Sequence, residues 1–288
     1  MLCAAAPGTV LLREQAWTPP GPDAAFIMTS APRECLTTQS DRIEAGRALF
    51  RSPNLLGGPA ARAGLSCHAC HTNGRVNPYF ALPELTDRPG AADVTSEWAS
   101  QVRGDGVANP VDIPDLAGAG SRASFGRARD PSLEHFVHGV IVEEFQGAPP
   151  PPEAFASLIA YLRALDACAL TNEPITLASA VDDVRRAVRA STNADAATAS
   201  LLLLAAQDSI GRIVERLPQP RFRRDRRTFE TLARELGAWR NAEDVALAQS
   251  AALPGWQARF DAAAARTARR ERQTYFNQTT LERALQQR

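Results

Sequence analysis

The segment Cys67-His68-Ala69-Cys70-His71 constrains this chain more than any other. Two thiols stand three positions apart, with an imidazole directly after the second. This is the spacing of c-type haem attachment. Two thiols add to the vinyl groups on one edge of the porphyrin, and the adjacent imidazole turns under the ring to bind iron. Other readings stay open on these five residues alone. One is a pair of buried or disulfide-bonded cysteines beside a surface histidine. Another is zinc, which in structural sites takes four N or S ligands, often as two paired clusters. The chain has no second Cys-x-x-Cys, and His135 and His138 lie far from the first. The spacing favours haem.

The surroundings predict helices joined by long loops. Asp41 offers an N-cap to a short helix over Arg42–Phe50, where Ile43, Arg47, Ala48 and Phe50 recur at helical spacing and Pro53 ends the run. Residues 72–131 are rich in Gly, Pro, Asn and Asp, and read as loops with one short helix at Ser96–Val102. Pro131 opens a helical pattern over Ser132–Val142. Pro149 to Pro152 form a stiff spacer before Glu153–Leu165, whose Phe155, Leu158, Ile159, Leu162 and Leu165 make one apolar stripe. Beyond Pro174, helices are expected at 175–190, 194–217, 223–239, 241–252 and 256–286, with Leu201 to Leu204 deepest. Strand signals are sparse. The expected class is all-α: an irregular segment 1–40, a domain over 41–170, and a helical, bundle-like domain over 171–288.

Charge is unevenly spread. Every basic side chain is Arg, and the net charge is zero. Residues 1–171 hold 13 Arg against 18 acidic residues, and residues 172–288 hold 19 against 14. Halves of −5 and +5 attract each other, or give a partner a basic face, or are simply two solvated surfaces. The run Arg221 to Arg227 is the densest basic stretch and reads as a dock for an acidic partner or nucleic acid, or as a solvated helix start. No apolar run is long enough to span a membrane. Met1 to Leu12 is apolar but short and lacks a basic start, so it reads as the remnant of an export signal or as a disordered terminus. Cys3 sits in no convincing lipid-attachment box.

Residues 43–166 resemble the class I cytochrome c domain and the haem domains of the di-haem cytochrome c peroxidase group. Three elements carry the resemblance: Gly46-Arg47-Ala48-Leu49-Phe50 at the end of a first helix, Leu65-Ser66-Cys67-His68-Ala69-Cys70-His71, and a closing helix, Ala154 to Leu165, that should cross the first. The helical region after it resembles nothing we can name.

The resemblance implies one covalent haem c on Cys67 and Cys70, with His71 as the proximal iron ligand. It implies electron transfer to a redox partner protein in the bacterial periplasm, with neither nucleic acid nor a membrane span involved. A proline carbonyl often accepts the proximal His Nδ1 hydrogen in such domains, and Pro78 is the candidate, unless it is a plain loop proline. Arg75 is a candidate for a haem propionate, or else a solvent-facing loop residue. The usual distal Met has no counterpart, because Val142-Glu143-Glu144-Phe145 occupies its place. His138 is then the first candidate for that position, with His135 or Met28 next, and an open iron site as the remaining case. An open site would suit a peroxidase-like or ligand-binding enzyme, although the related peroxidases use two haems and one motif is present here. No catalytic residue is singled out. If the two helices cross, Cys35 and Cys168 come close enough for a disulfide, as an oxidising compartment permits; otherwise both are free buried thiols.

Overall fold

The computed structural model describes residues 10–287. Helices carry most of the ordered chain, and strands occur only as two short antiparallel pairs among the described residues. The class is all-α. In chain order the elements are α1 (Ala24–Thr29), β1 (Ser30–Pro32), α2 (Asp41–Phe50), α3 (Gly58–Arg62), α4 (Cys67–Cys70), β2 (Ala91–Ala92), β3 (Val111–Asp112) and α5 (Leu133–Gly139), which runs on into a π-helical turn, Val140–Glu144. Then come α6 (Pro152–Ala164), β4 (Asn172–Pro174), α7 (Leu177–Ser191), α8 (Ala196–Glu215), α9 (Arg223–Arg240), α10 (Val245–Ala268) and α11 (Gln278–Gln286).

Caps set most helix starts. Ser40, one residue before the expected Asp41, accepts from the Ile43 amide and caps α2. Thr176, Asp195, Asp244 and Asn277 do the same for α7, α8, α10 and α11, each satisfying an amide that the first turn leaves without a helical partner.

Helix α2 crosses α6 at very short range. A Cβ built at Gly46 would lie 1.9 Å from the Ser157 carbonyl oxygen and 2.8 Å from Tyr161 Cβ. Only glycine permits this approach, which brings Phe50 onto the Tyr161 ring at 5.1 Å. The apolar residues around this crossing form one core, from Trp17 to Leu165 with Leu202 added. A second core is built mainly from α7 to α10 and extends from Leu177 to Phe276, beyond the end of α10. Ion pairs stitch the two together: Arg47 meets Asp183, and Arg186 Nη1 lies 2.6 Å from Glu44 Oε2.

Three expectations need correction. The described part of the N-terminal segment is not irregular. Its prolines exclude a long helix but leave room for a 3-10 turn at Arg13–Ala16, for α1, and for β1, which pairs with β4 in the register Ser30 with Pro174. Proline is tolerated in such an isolated two-stranded edge. Residues 1–9, including Cys3 and most of the suspected export-signal remnant, lie outside the described residues.

No helix forms at Ser96–Val102. Asp93 accepts from the Thr95 amide at 3.0 Å and its hydroxyl at 2.7 Å, and from the Asn109 amide at 3.0 Å. These side-chain bonds offer the backbone an alternative to helix.

The break expected near 253–255 is also absent. Helix α10 runs straight through Pro254, because Pro254 and Ser250 are both exposed and the carbonyl deprived of its helical donor lies on the solvent side. The chain breaks instead at 269–277, before Asn277 caps α11.

Candidate functional site

Helix α4 is a single turn holding both thiols. The His71 amide donates to the Cys67 carbonyl at 2.9 Å, closing that turn. Asn77 then clamps it twice: its amide donates to the Cys70 carbonyl at 2.9 Å and its side chain to the Ala69 carbonyl at 2.8 Å. Directly after His71 the chain reverses through two left-handed residues, Asn73 (φ 55°) and Gly74 (φ 78°). The Leu165 side chain fills the space that a Cβ on Gly74 would need.

Cys67 and Cys70 are half-buried and not bonded to each other. Burial pushes the Cys67 thiol up to about 12, and Cys70 higher still, with Cys67 beside it adding to the rise. Both are protonated at neutral pH. Redox-active and nucleophilic cysteines need the opposite, a lowered pKa in an electropositive setting. Among the described residues no three His, Cys, Asp or Glu side chains gather into a metal-binding set, so the thiols and His71 do not close on one ion as zinc ligands do.

His71 Nδ1 lies 2.9 Å from the carbonyl oxygen of Pro114. Burial holds its imidazolium down at about 4, so the ring is neutral. A carbonyl can only accept, so the proton sits on Nδ1 and the lone pair on Nε2. The acceptor expected at Pro78 is therefore Pro114. Pro78 is exposed and lies against Gly90, whereas a cross-chain loop delivers Pro114 to the ring from 43 residues downstream. Arg75 belongs to the same arrangement. Its Nε lies 2.8 Å from Oδ2 of Asp115, next to Pro114, yet Nε and Nη1 are buried without a hydrogen-bond partner. Arg75 is thus half-buried, not a free loop cation.

Behind α4 lies a buried polar cluster with no counterpart in the sequence expectations. Arg51 Nη1 stands 3.2 Å from His68 Nδ1, and Nη2 donates to Glu34 at 3.0 Å and Asn73 at 2.5 Å. Burial, reinforced by Arg51, keeps His68 well below the ordinary histidine range and hence neutral. Glu34 also accepts from Arg47 Nε at 2.6 Å and from the Tyr161 hydroxyl at 2.7 Å. The next residue, Cys35, is disulfide-bonded to Cys168, with Cα atoms 6.2 Å apart. The sequence carried no signal for Glu34 or Arg51, because their partners come from four separate segments.

The three residues named from the sequence as distal-ligand candidates are scattered. Met28 packs with Ala24, Ala25, Tyr275 and Leu281, in a cluster separate from the one holding the motif. His135 is exposed and paired with Asp130. His138 is exposed too, edge-on to Phe155 with ring centroids 6.0 Å apart. Val142 lies in the π-helical turn, an arrangement that recurs at functional sites. Around the core that contains the two thiols, Val76, Val94, Trp98, Leu116, Val140 and Val142 are left only half-buried.

Comparison with protein-family models, with curated proteins and with solved structures finds no match to this chain. Among the described residues no helix is long and apolar enough to cross a membrane.

Proposed function

We propose that this protein is a c-type cytochrome that carries electrons through one haem c, bonded to Cys67 and Cys70 with His71 as proximal ligand. The observation that carries this reading is the His71–Pro114 bond. It holds a neutral imidazole with Nε2 free, one residue past two unpaired, protonated thiols. The residues suit the group in two further ways. Arg75 Nη1 is buried with no hydrogen-bond partner, although the guanidinium is ion-paired with Asp115, and would serve a propionate; half-buried Val76, Val94, Trp98, Leu116, Val140 and Val142 would offer a flat ring apolar contacts.

The haem would supply a one-electron iron couple tuned by its axial ligands and burial. The chain's own part is mechanical and electrostatic. Cys67 and Cys70 would hold the group through two thioethers, the Pro114 carbonyl orients His71 and would raise its basicity as a ligand, and Arg75 would offset carboxylate charge. The Cys35–Cys168 disulfide supports an oxidising compartment, such as the periplasm, where a redox partner protein would exchange electrons with it. A cytochrome c-like haem domain followed by a helical bundle is the fold this reading assigns to the two cores.

The test is maturation of the chain together with haem-attachment machinery. We expect a red protein heavier than the polypeptide by one haem, with a pyridine haemochrome spectrum of two saturated vinyl positions. A colourless product of bare polypeptide mass overturns the proposal.

A second reading has one observation behind it: Met28 is remote, and His135 and His138 are both exposed. An iron with no protein ligand on its distal face would bind small ligands, as a peroxidase-like or gas-binding protein does. A high-spin spectrum that shifts with carbon monoxide selects this reading. A low-spin spectrum indifferent to carbon monoxide, lost in His138→Ala, selects the electron carrier with two histidine ligands.

A further inference from the structure

The Arg221–Arg227 stretch has no role in the haem reading, and the fold gives it a shape. Helix α9 begins at Arg223, and along its flank against α10 runs an open groove of about 700 Å³. That volume lies within the range of small-molecule sites. Arg223, Arg224 and Arg227 of α9 line it on one side, Arg259 and Arg266 of α10 on the other, with Leu232 among the lining residues.

The five cations are not equivalent. Arg259 is held by both carboxylate oxygens of Glu235, at 2.8 and 2.6 Å. Arg266 shares the buried Asp225 with Arg270, and Arg270 stacks 4.5 Å above the Phe222 ring. Arg223, Arg224 and Arg227 have no ion pair among the described residues, and all three are exposed. Three neighbouring guanidinium groups without counter-charge repel one another, a cost that an anion between them removes. Helix α9 also starts without a side-chain cap, so its first amides and positive dipole end add to the same field.

We propose that this groove binds a phosphorylated ligand carrying at least two negative charges. The arginine fork matches phosphate oxygens two at a time, and three unpaired forks ask for more than one charge. A soluble phosphate ester and a lipid headgroup present the same chemistry. The inference does not rest on the haem reading and stands or falls separately.

Calorimetric titration of the full chain with inorganic pyrophosphate tests it, at low and at physiological ionic strength. We expect saturable binding, weakened at least tenfold in Arg223→Gln/Arg227→Gln and unchanged in Arg62→Gln, an exposed arginine of α3 that makes the same kind of charge change elsewhere. Circular dichroism melting of each variant separates lost binding from lost folding. Flotation with vesicles containing phosphatidic acid, against phosphatidylcholine alone, assigns the source. Association that needs Arg223 and Arg227 points to a headgroup, and binding of pyrophosphate without vesicle association points to a soluble ester. The proposal is overturned by absence of saturable pyrophosphate binding, by equal loss in Arg62→Gln, or by binding of an acidic peptide where pyrophosphate fails.

Discussion

Arg212 of α8 donates a guanidinium hydrogen to the backbone carbonyl of Arg51, the residue that caps the end of α2. A cation from the C-terminal core thus closes a helix of the N-terminal core, at the end that leads towards the Cys67–His71 motif. Arginine at a helix C-terminus meets both an unpaired carbonyl and the negative end of the dipole. Hydrogen bonds of charged groups contribute about 1.5–3 kcal/mol. Arg212→Ala should therefore lower stability by about 2 kcal/mol in urea unfolding. An unchanged midpoint would show that the seam is held elsewhere.

The α2–α6 crossing makes two glycine substitutions behave oppositely. Gly46→Ala places a Cβ 1.9 Å from the Ser157 backbone, so the helices must part, at a cost of about 3 kcal/mol or more. Gly255 lies in α10 with nothing within 4 Å of an added Cβ. Gly255→Ala should gain roughly 0.5–1 kcal/mol from reduced backbone freedom. Thermal melts of the two variants check the contrast.

Met28 gives a test of the proposed haem site from outside the Cys67–His71 motif. Its side chain is packed against Ala24, Ala25, Tyr275 and Leu281. Met28→Leu conserves volume and should cost less than about 1.5 kcal/mol. The optical spectrum of the haem-loaded protein should be identical to that of the parent. Loss of a low-spin spectrum in this variant would make Met28 an iron ligand after all.

The Cys35–Cys168 bond closes a loop of 133 residues around the first core. Such a cross-link restricts the unfolded chain, and its removal costs about 2–5 kcal/mol. Cys35→Ser/Cys168→Ser should unfold at correspondingly lower denaturant. Mass analysis without reductant should show the parent two hydrogens lighter than its fully reduced form. A full set of free thiols would refute the bond.

Acid should weaken the protein through Glu34. Burial alone would raise its pKa, but Arg51 and Arg47 overcome this and hold it at about 2, below the ordinary value of 4.5. The unfolded chain therefore takes up this proton first. The stabilisation is complete above pH 4.5 and is lost as pH falls from 4.5 towards 2. Glu34→Gln should lower stability at neutral pH and flatten the stability curve across that window. A variant with the parent's acid slope would place the titration on other carboxylates.

How far the sequence could be read followed how local each feature was. Helices α2, α6, α7, α8 and α9 were legible within a residue or two, because apolar spacing and caps act over a single turn. The break expected at Pro254 was not there, since a proline disrupts a helix only where the freed carbonyl has no other partner. The turn structure at 93–109 escaped because Asp93 draws on amides up to 16 residues away. The acceptor for His71 was assigned to the nearest suitable proline, Pro78, and the fold supplied Pro114 instead. A proline carbonyl leaves no local mark that says which ring it will meet.

From the sequence by itself came the all-helical class, the spacing that singles out Cys67, Cys70 and His71, and the pairing of Cys35 with Cys168, whereas the single helical turn that holds both thiols came from the fold. The pairing followed from two helices expected to cross. Only the tertiary structure decided that Pro114 orients His71, that buried Arg51 gathers half-buried Glu34 and His68 behind the motif, and that Arg223, Arg224 and Arg227 share a groove with α10. The physical reason is range. Backbone hydrogen bonding and helical periodicity act between residues a few positions apart. Burial, ion pairing and the delivery of a carbonyl to a ring depend on segments that meet only when the whole chain has folded.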